Sequence, residues 1–285
     1  MAACSTSVPK QHAGTAARAP FIDDFSDTLV LSRPATRVVS LNPVTSEAMF
    51  AIGAGARLVG RTHFDAEPPA VRDVADVGNG LQPNVEAVLA VRPDLVVLYA
   101  ADANRAAAAA LRRAGVQTLA LRTDRIADLS RALHALGVAV GDTAAAQLVA
   151  DSVRRSIDAA RATSPNSFRI FWHVWDAPII TIGAGSYLDE LVTLVGARNV
   201  FTDLLQPSPQ VTLESVVQRN PDVVLAGPTA AARLRIDPRW RDVTAVRDGR
   251  VLIVDTALVG RPGVRMGEAA RFMRALLDSA AGRRP

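Results

Sequence analysis

The sequence predicts an α/β protein of two similar open lobes with mainly parallel sheets, joined by one long rigid α-helix, with a ligand cleft between the lobes. Three observations lead there. From residue 37 onward, short β-branched runs alternate with amphipathic or alanine-rich segments, as βα units do. The motifs of the first half return in the same order in the second, which is the mark of an internal repeat. Between the halves, residues 142–165 contain no Gly or Pro before Pro165, so an uninterrupted helix fits there.

The elements follow in order. RVVSL (37–41) reads as a strand, 46–52 as a helix closed by Gly53, and RLVGR (57–61) as a strand again. Residues 84–91 form a helix stopped ahead of Pro93, and DLVVLY (94–99) is a buried strand,. An alanine-rich helix over 102–113 ends at Gly115, followed by strand VQTLAL (116–121) and a helix over 126–136. In the connector, Val149, Val153 and Ile157 recur every four residues, an apolar stripe suited to packing against both lobes. About 20 helical residues span about 30 Å, so the lobes are expected to shift slightly and not to swing widely.

The repeat sets NVEAVLAVRPDLVVL (84–98) against TLESVVQRNPDVVLA (212–226), matching Glu86 with Glu214, Pro93 with Pro221 and Asp94 with Asp222. RVVSL is echoed by RIFWH (169–173), EAMFAIG (47–53) by ELVTLVG (190–196), and VQTLAL by VLIVD (251–255). The expected division is a leader and entry segment over 1–35, a first lobe over 36–141, a backbone helix over 142–165 and a second lobe over 166–285.

Composition narrows the function. A chain of 285 residues that is 49% hydrophobic can fill two cores,. The net charge is only +4, nearly all the base is arginine with Lys10 the single lysine, and the arginines are interspersed with Asp. Aromatics make up 5%, which leaves few stacking platforms, so a nucleic-acid partner is not expected. No apolar run approaches the roughly 20 residues that cross a bilayer. Cys4 is the only cysteine, so no intrachain disulfide and no Cys-based metal site can form,. Ala2-Ala3-Cys4-Ser5 resembles the end of a bacterial lipoprotein signal, which makes a lipid anchor at Cys4 the expectation, with an incidental cysteine as the alternative.

Ligands of open α/β sheets bind beyond the C-terminal strand ends, and two facing lobes would enclose such a site. The pattern delivers both tyrosines and two of the three tryptophans there. Phe64, Tyr99, Trp172, Trp175 and Tyr187 are the candidate contacts for a bulky planar ligand, with Arg261 as a charged neighbour. His63 and His173 occupy corresponding strand-end regions of the two lobes and are candidates for ligand contact or for an axial bond to a metallated macrocycle. Trp240 and His134 read as structural. Catalytic signatures such as GxGxxG, GxxxxGK, HExxH and GxSxG are absent,. Glu47 and Glu86 lie within amphipathic helices and are expected to face solvent or cap neighbours. Asp65 and Glu67 are the carboxylates an α/β enzyme would use, and saturable turnover depending on them is the discriminator.

These segments together resemble the periplasmic substrate-binding proteins of metal-chelate uptake systems, whose two lobes are joined by one long helix. The resemblance runs from about residue 36 to 280. It rests on RVVSLNPVTSEAMFAIGAGARLVGRTHFDAEPPAVRDVADVG, on NVEAVLAVRPDLVVL, and on IGAGSYLDELVTLVGARNVF and NPDVVLA. It implies a monomeric, non-catalytic component of an ABC importer in the periplasm or on the outer cell surface, tethered through Cys4, that presents its cargo to a membrane permease. The nearest similarity is to the cobalamin binders, through Tyr99 and the region from Phe64 to Pro69, which implies cobalamin or another corrinoid as cargo. Haem or a ferric siderophore is the alternative. Gly80 and Ser208 stand where cobalamin binders use tryptophan. The glutamates through which the family docks on its permease have no counterpart: Arg105 stands near the first position, and Asp102 and Asp237 are the nearest acids.

Overall fold

The computed structural model describes residues 21–162 and 168–281. A short hairpin, β1 (Phe21–Ile22) with β2 (Thr28–Leu29), leads in. The first lobe runs β3 (Val38–Ser40), α1 (Pro43–Ala51), β4 (Leu58–Gly60), α2 (Val85–Ala90), β5 (Leu95–Tyr99), α3 (Arg105–Arg113), β6 (Gln117–Leu121) and α4 (Asp128–Val140). All four sheet strands are parallel, in the order β4-β3-β5-β6.

After α5 (Thr143–Ala160), the second lobe runs β7 (Arg169–His173), the hairpin β8 (Trp175–Asp176) and β9 (Ile179–Ile180), α6 (Tyr187–Leu194), β10 (Arg198–Asn199) and α7 (Leu213–Arg219). It continues with β11 (Val223–Ala226), α8 (Pro228–Ile236), α9 (Thr244–Arg247), β12 (Val251–Ile253), α10 (Thr256–Val259) and α11 (Met266–Ala281). Its sheet, β10-β7-β11-β12, is again all parallel. Both lobes therefore order their strands second, first, third, fourth, as the sequence repeat predicts.

The repeated Asp explains why the motif recurs. The Asp94 carboxylate accepts from the backbone N–H of Thr36 at 2.9 Å and of Arg37 at 3.0 Å, fastening the start of β3 to that of β5. Asp222 does the same in the second lobe, accepting from the Arg169 N–H at 2.8 Å. The arginines are equivalent too. Arg37 donates to the carbonyls of Arg92 and Val91, and Arg169 to those of Asn220 and Arg219.

Helix boundaries differ from the sequence reading where caps decide them. α1 starts at Pro43, three residues earlier than expected, because Asn42 caps it, its side chain accepting from the Val44 N–H at 3.0 Å,. Residues 102–104 form a 3₁₀ turn ahead of α3. α5 is capped by Asp142, which accepts from the Ala145 N–H at 2.9 Å, and it buries Val153 and Ile157 as the apolar stripe requires. At 1.5 Å per residue its 18 residues extend about 27 Å,. α4 and α11 pack along it. One apolar core runs through this stack from Val38, Leu95 and Leu119 in the first sheet to Ile170, Trp172 and Val223 in the second.

Candidate functional site

In the first lobe the residues at the strand ends converge. Leu41 and Asn42 follow β3, Thr62 follows β4, Tyr99 ends β5 and Thr123 follows β6, and all of them border one cavity of about 330 Å³. In the second lobe Trp172 and His173 end β7, Gly227 follows β11 and Thr256 opens α10, and these border a cavity of about 710 Å³. Gly260 lines the larger cavity and Arg261 the smaller, so the two share a border. Together they form a cleft at the strand ends, where ligands of such sheets bind.

The smaller cavity is mostly apolar and aromatic. Phe64 is 52% exposed at its rim, and exposed His63 leans on it with ring centroids 4.1 Å apart. Tyr99 is half-buried and donates its hydroxyl to Asp124 at 2.5 Å. Burial, reinforced by that bond, pushes its phenol up to about 12,, so Tyr99 carries its proton at neutral pH. Gly80 lines the same cavity against the Leu41 carbonyl, and any Cβ there would collide with that oxygen. A tryptophan at this position is sterically excluded.

The larger cavity has one exposed aromatic platform, Trp175, 61% exposed on the β8–β9 hairpin. Trp172 borders the cavity but is only 3% exposed, so it forms a wall. His173 corrects the expectation of an open imidazole. Its ring is buried against Phe171 and Trp240, with Nε2 2.7 Å from Asp176 Oδ1. Burial holds its pKa below the ordinary value against the opposing pull of Asp176, leaving the ring neutral at pH 7. Asp176 in turn binds Arg233 at 2.6 Å, and both line the cavity.

Tyr187 reaches neither cavity. Its hydroxyl is donated to the Val259 carbonyl, and the side chain helps enclose a small apolar void with Ile126, Ile157 and Met266. Burial raises its pKa. Glu47 also departs from expectation. It is 6% exposed, with Arg261 Nη1 3.6 Å from its carboxylate, and Arg261 Nη2 lies 3.5 Å from the Phe64 carbonyl. Burial pushes Glu47 up to about 7, against the attraction of Arg261 and Arg265 and with the help of nearby Glu67 and Asp65.

Asp65 is buried and tied to its own turn, accepting from Thr62 Oγ1 at 2.5 Å and the Thr62 N–H at 3.0 Å. Arg105 pairs with Asp102 at 3.0 Å and lies 4.4 Å above the Phe25 ring, while Asp237 is occupied by Arg239 at 2.6 Å. Among the described residues, no group of three or more His, Cys, Asp or Glu is arranged to hold a metal ion, and no helix is long and apolar enough to cross a membrane. Cys4 lies outside the described residues.

The sequence reading missed Asp124, Asp176, Arg233 and the role of Glu47. For Glu47 a signal existed. α1 buries six consecutive residues, Val44 to Met49, and a helix with no polar face holds its single acid in a protein environment.

Residues 38–258 match the family model described as periplasmic binding protein. The chain belongs to this family. Its relatives include the vitamin B12-binding protein of Vibrio cholerae, 28% identical over 239 residues that cover 83% of this chain and 87% of the relative. The solved periplasmic vitamin B12 binding protein of Vibrio cholerae superposes with a TM-score of 0.76 at 26% identity, covering 88% of this chain and 99% of that one. A periplasmic heme binding protein from Pseudomonas aeruginosa superposes with a TM-score of 0.74 at 26% identity, covering 86% and 94%. An ABC transporter substrate-binding lipoprotein of Bacillus subtilis is 29% identical over 259 residues, covering 87% of this chain and 82% of the relative. The relatives are transport proteins, and this periplasmic binding protein shares their two-lobed architecture. Its strand-end cleft lies where the fold gathers residues from both sheets.

Proposed function

We propose that this periplasmic binding protein captures cobalamin or a related corrinoid noncovalently in the interlobe cleft and passes it to the permease of an ABC importer. The observation that carries the reading is the pair of strand-end cavities that adjoin at Gly260 and Arg261, with an aromatic from each lobe, Phe64 and Trp175, exposed at their rims. Flat rings at a cleft mouth bury a bulky planar cargo at low entropic cost. The similarity to vitamin B12-binding proteins supports the same cargo.

Tyr99 favours a corrinoid over a ferric cargo held through a phenolate. Its proton is committed to Asp124 and bound up to about pH 12, so it serves as a neutral wall. Haem is the second reading, favoured by one guanidinium at each cavity, Arg261 and Arg233, since arginine forks suit carboxylates. Phe64, Tyr99, Trp172, Trp175, Arg261 and His63 form the proposed contact set, and His173 supports Asp176 from behind. The protein acts as a monomeric, non-catalytic carrier, with Cys4 as its lipid attachment point.

Titration of the purified protein with cyanocobalamin, followed by heat and by tryptophan quenching, tests this, with haem and a ferric siderophore run in parallel. The expected result is one-site submicromolar corrinoid binding. Absence of corrinoid binding by folded protein overturns the cargo, and a response to haem instead selects the second reading.

A further inference from the structure

Glu47 has no place in the cargo-binding account, yet it is buried beside Arg261, which lines the smaller cavity. It rises from α1 of the first lobe, and the cations opposite it belong to the second. Arg261 Nη1 lies 3.6 Å away, and Gly263 approaches so closely that a Cβ on it would sit 2.8 Å from Glu47 Oε2. Arg261 then extends to the Phe64 carbonyl and lines the smaller cavity. The charged groups facing the Glu47 carboxylate are Arg261 and Arg265 from the second lobe and Asp65 and Glu67 from the loop after β4.

We propose that Glu47 is a cross-lobe latch, a positioning residue that holds Arg261 against the Phe64 segment and thereby sets the shape of the aromatic cavity. The latch is made when the carboxylate is ionised and slackens when it takes up a proton. Its burial places that change near neutrality, so the cleft responds to the pH of the medium. Burial outweighs the two arginines, so the ionised acid costs folding stability where it sits. Only the consequence for affinity rests on the cargo reading above.

Hydrogen exchange on the full chain tests the latch without cargo. After correction for intrinsic rates, Glu47→Gln is expected to speed exchange in the segments 62–66 and 259–263 at pH 8, leaving β5 unchanged. Wild type near pH 6 should resemble the variant. Arg261→Gln should act on the same segments, and the double variant should add little to either single one, which keeps the test valid if one variant folds poorly. In parallel, cyanocobalamin affinity of wild type should fall about tenfold from pH 8 to pH 6, following the ionised fraction, whereas Glu47→Gln should be nearly flat. Unchanged exchange in both segments, or equal pH profiles for wild type and variant, overturns the latch. If no corrinoid binds at all, the cargo reading fails while the exchange result still decides the latch.

Discussion

Arg125 Nε lies 2.5 Å from Glu190 Oε1, and the neighbouring Ile126 N–H donates to the other carboxylate oxygen at 2.8 Å. One glutamate in the first turn of α6 thus receives two donors from the loop before α4, binding lobe to lobe. Both side chains are partly exposed, so the ion pair is screened, and the backbone bond supplies much of the gain. Glu190→Ala is expected to destabilise by about 1–2 kcal/mol in urea denaturation, with only weak dependence on salt.

Glu47 gives a pH signature with a definite sign. Its pKa is raised from the ordinary 4.5 to about 7 in the folded protein, so the folded state holds a proton that the unfolded state releases. Its contribution is fully present below about pH 4.5, is lost as pH rises through 7, and levels off above. At about 1.4 kcal/mol per unit the difference is roughly 3 kcal/mol. Glu47→Gln should therefore be more stable than wild type at pH 8 and similar to it at pH 4.5, as measured by thermal unfolding across that range.

Tyr99 separates packing from hydrogen bonding. Tyr99→Ala should weaken cyanocobalamin binding about tenfold or more by removing an aromatic wall. Tyr99→Phe keeps the wall and loses the bond to Asp124, so its affinity should stay within about threefold while stability falls by about 1 kcal/mol.

The collision built into position 80 makes a sharper forecast. Gly80→Ala should destabilise by about 1–3 kcal/mol, the range for overpacking, because the neighbour is the Leu41 carbonyl and not a movable side chain. Chemical denaturation checks the first part, and calorimetry with cyanocobalamin should show a parallel loss of affinity.

The paired clamps allow a symmetric experiment. Asp94→Ala and Asp222→Ala each remove hydrogen bonds that fasten the start of a first strand, and each should cost about 1–3 kcal/mol. Similar losses in denaturant midpoint are expected, since the two residues do the same work in equivalent places.

Much of the architecture was legible because it is local. Pro-Asp before a β-branched run, a glycine after a helix and an apolar stripe at four-residue spacing each act within a few residues, and their repetition exposed the duplication. The aromatic cleft was half legible, since strand ends can be located but side-chain directions cannot. Trp175 stands free on its hairpin, while Trp172, three residues earlier, turns into the core, and His173 is drawn to Asp176. Glu47 escaped because its partner Arg261 is 214 positions away, and no local pattern reports a charge pair formed by docking lobes. Tyr187 failed for the same reason, its partner carbonyl belonging to Val259 on another element.

The apolar interior that continues through α4, α5 and α11 has a consequence for how the molecule comes apart and how it can be rebuilt. Neither sheet has a private interior on its inner face, so heating should melt the protein in one calorimetric transition, and either half expressed alone would leave that face bare. A chimera that exchanges one half with a relative to alter cargo preference would have to carry the three helices as a matched set. Cutting within α5 would divide the one structure on which both halves are built.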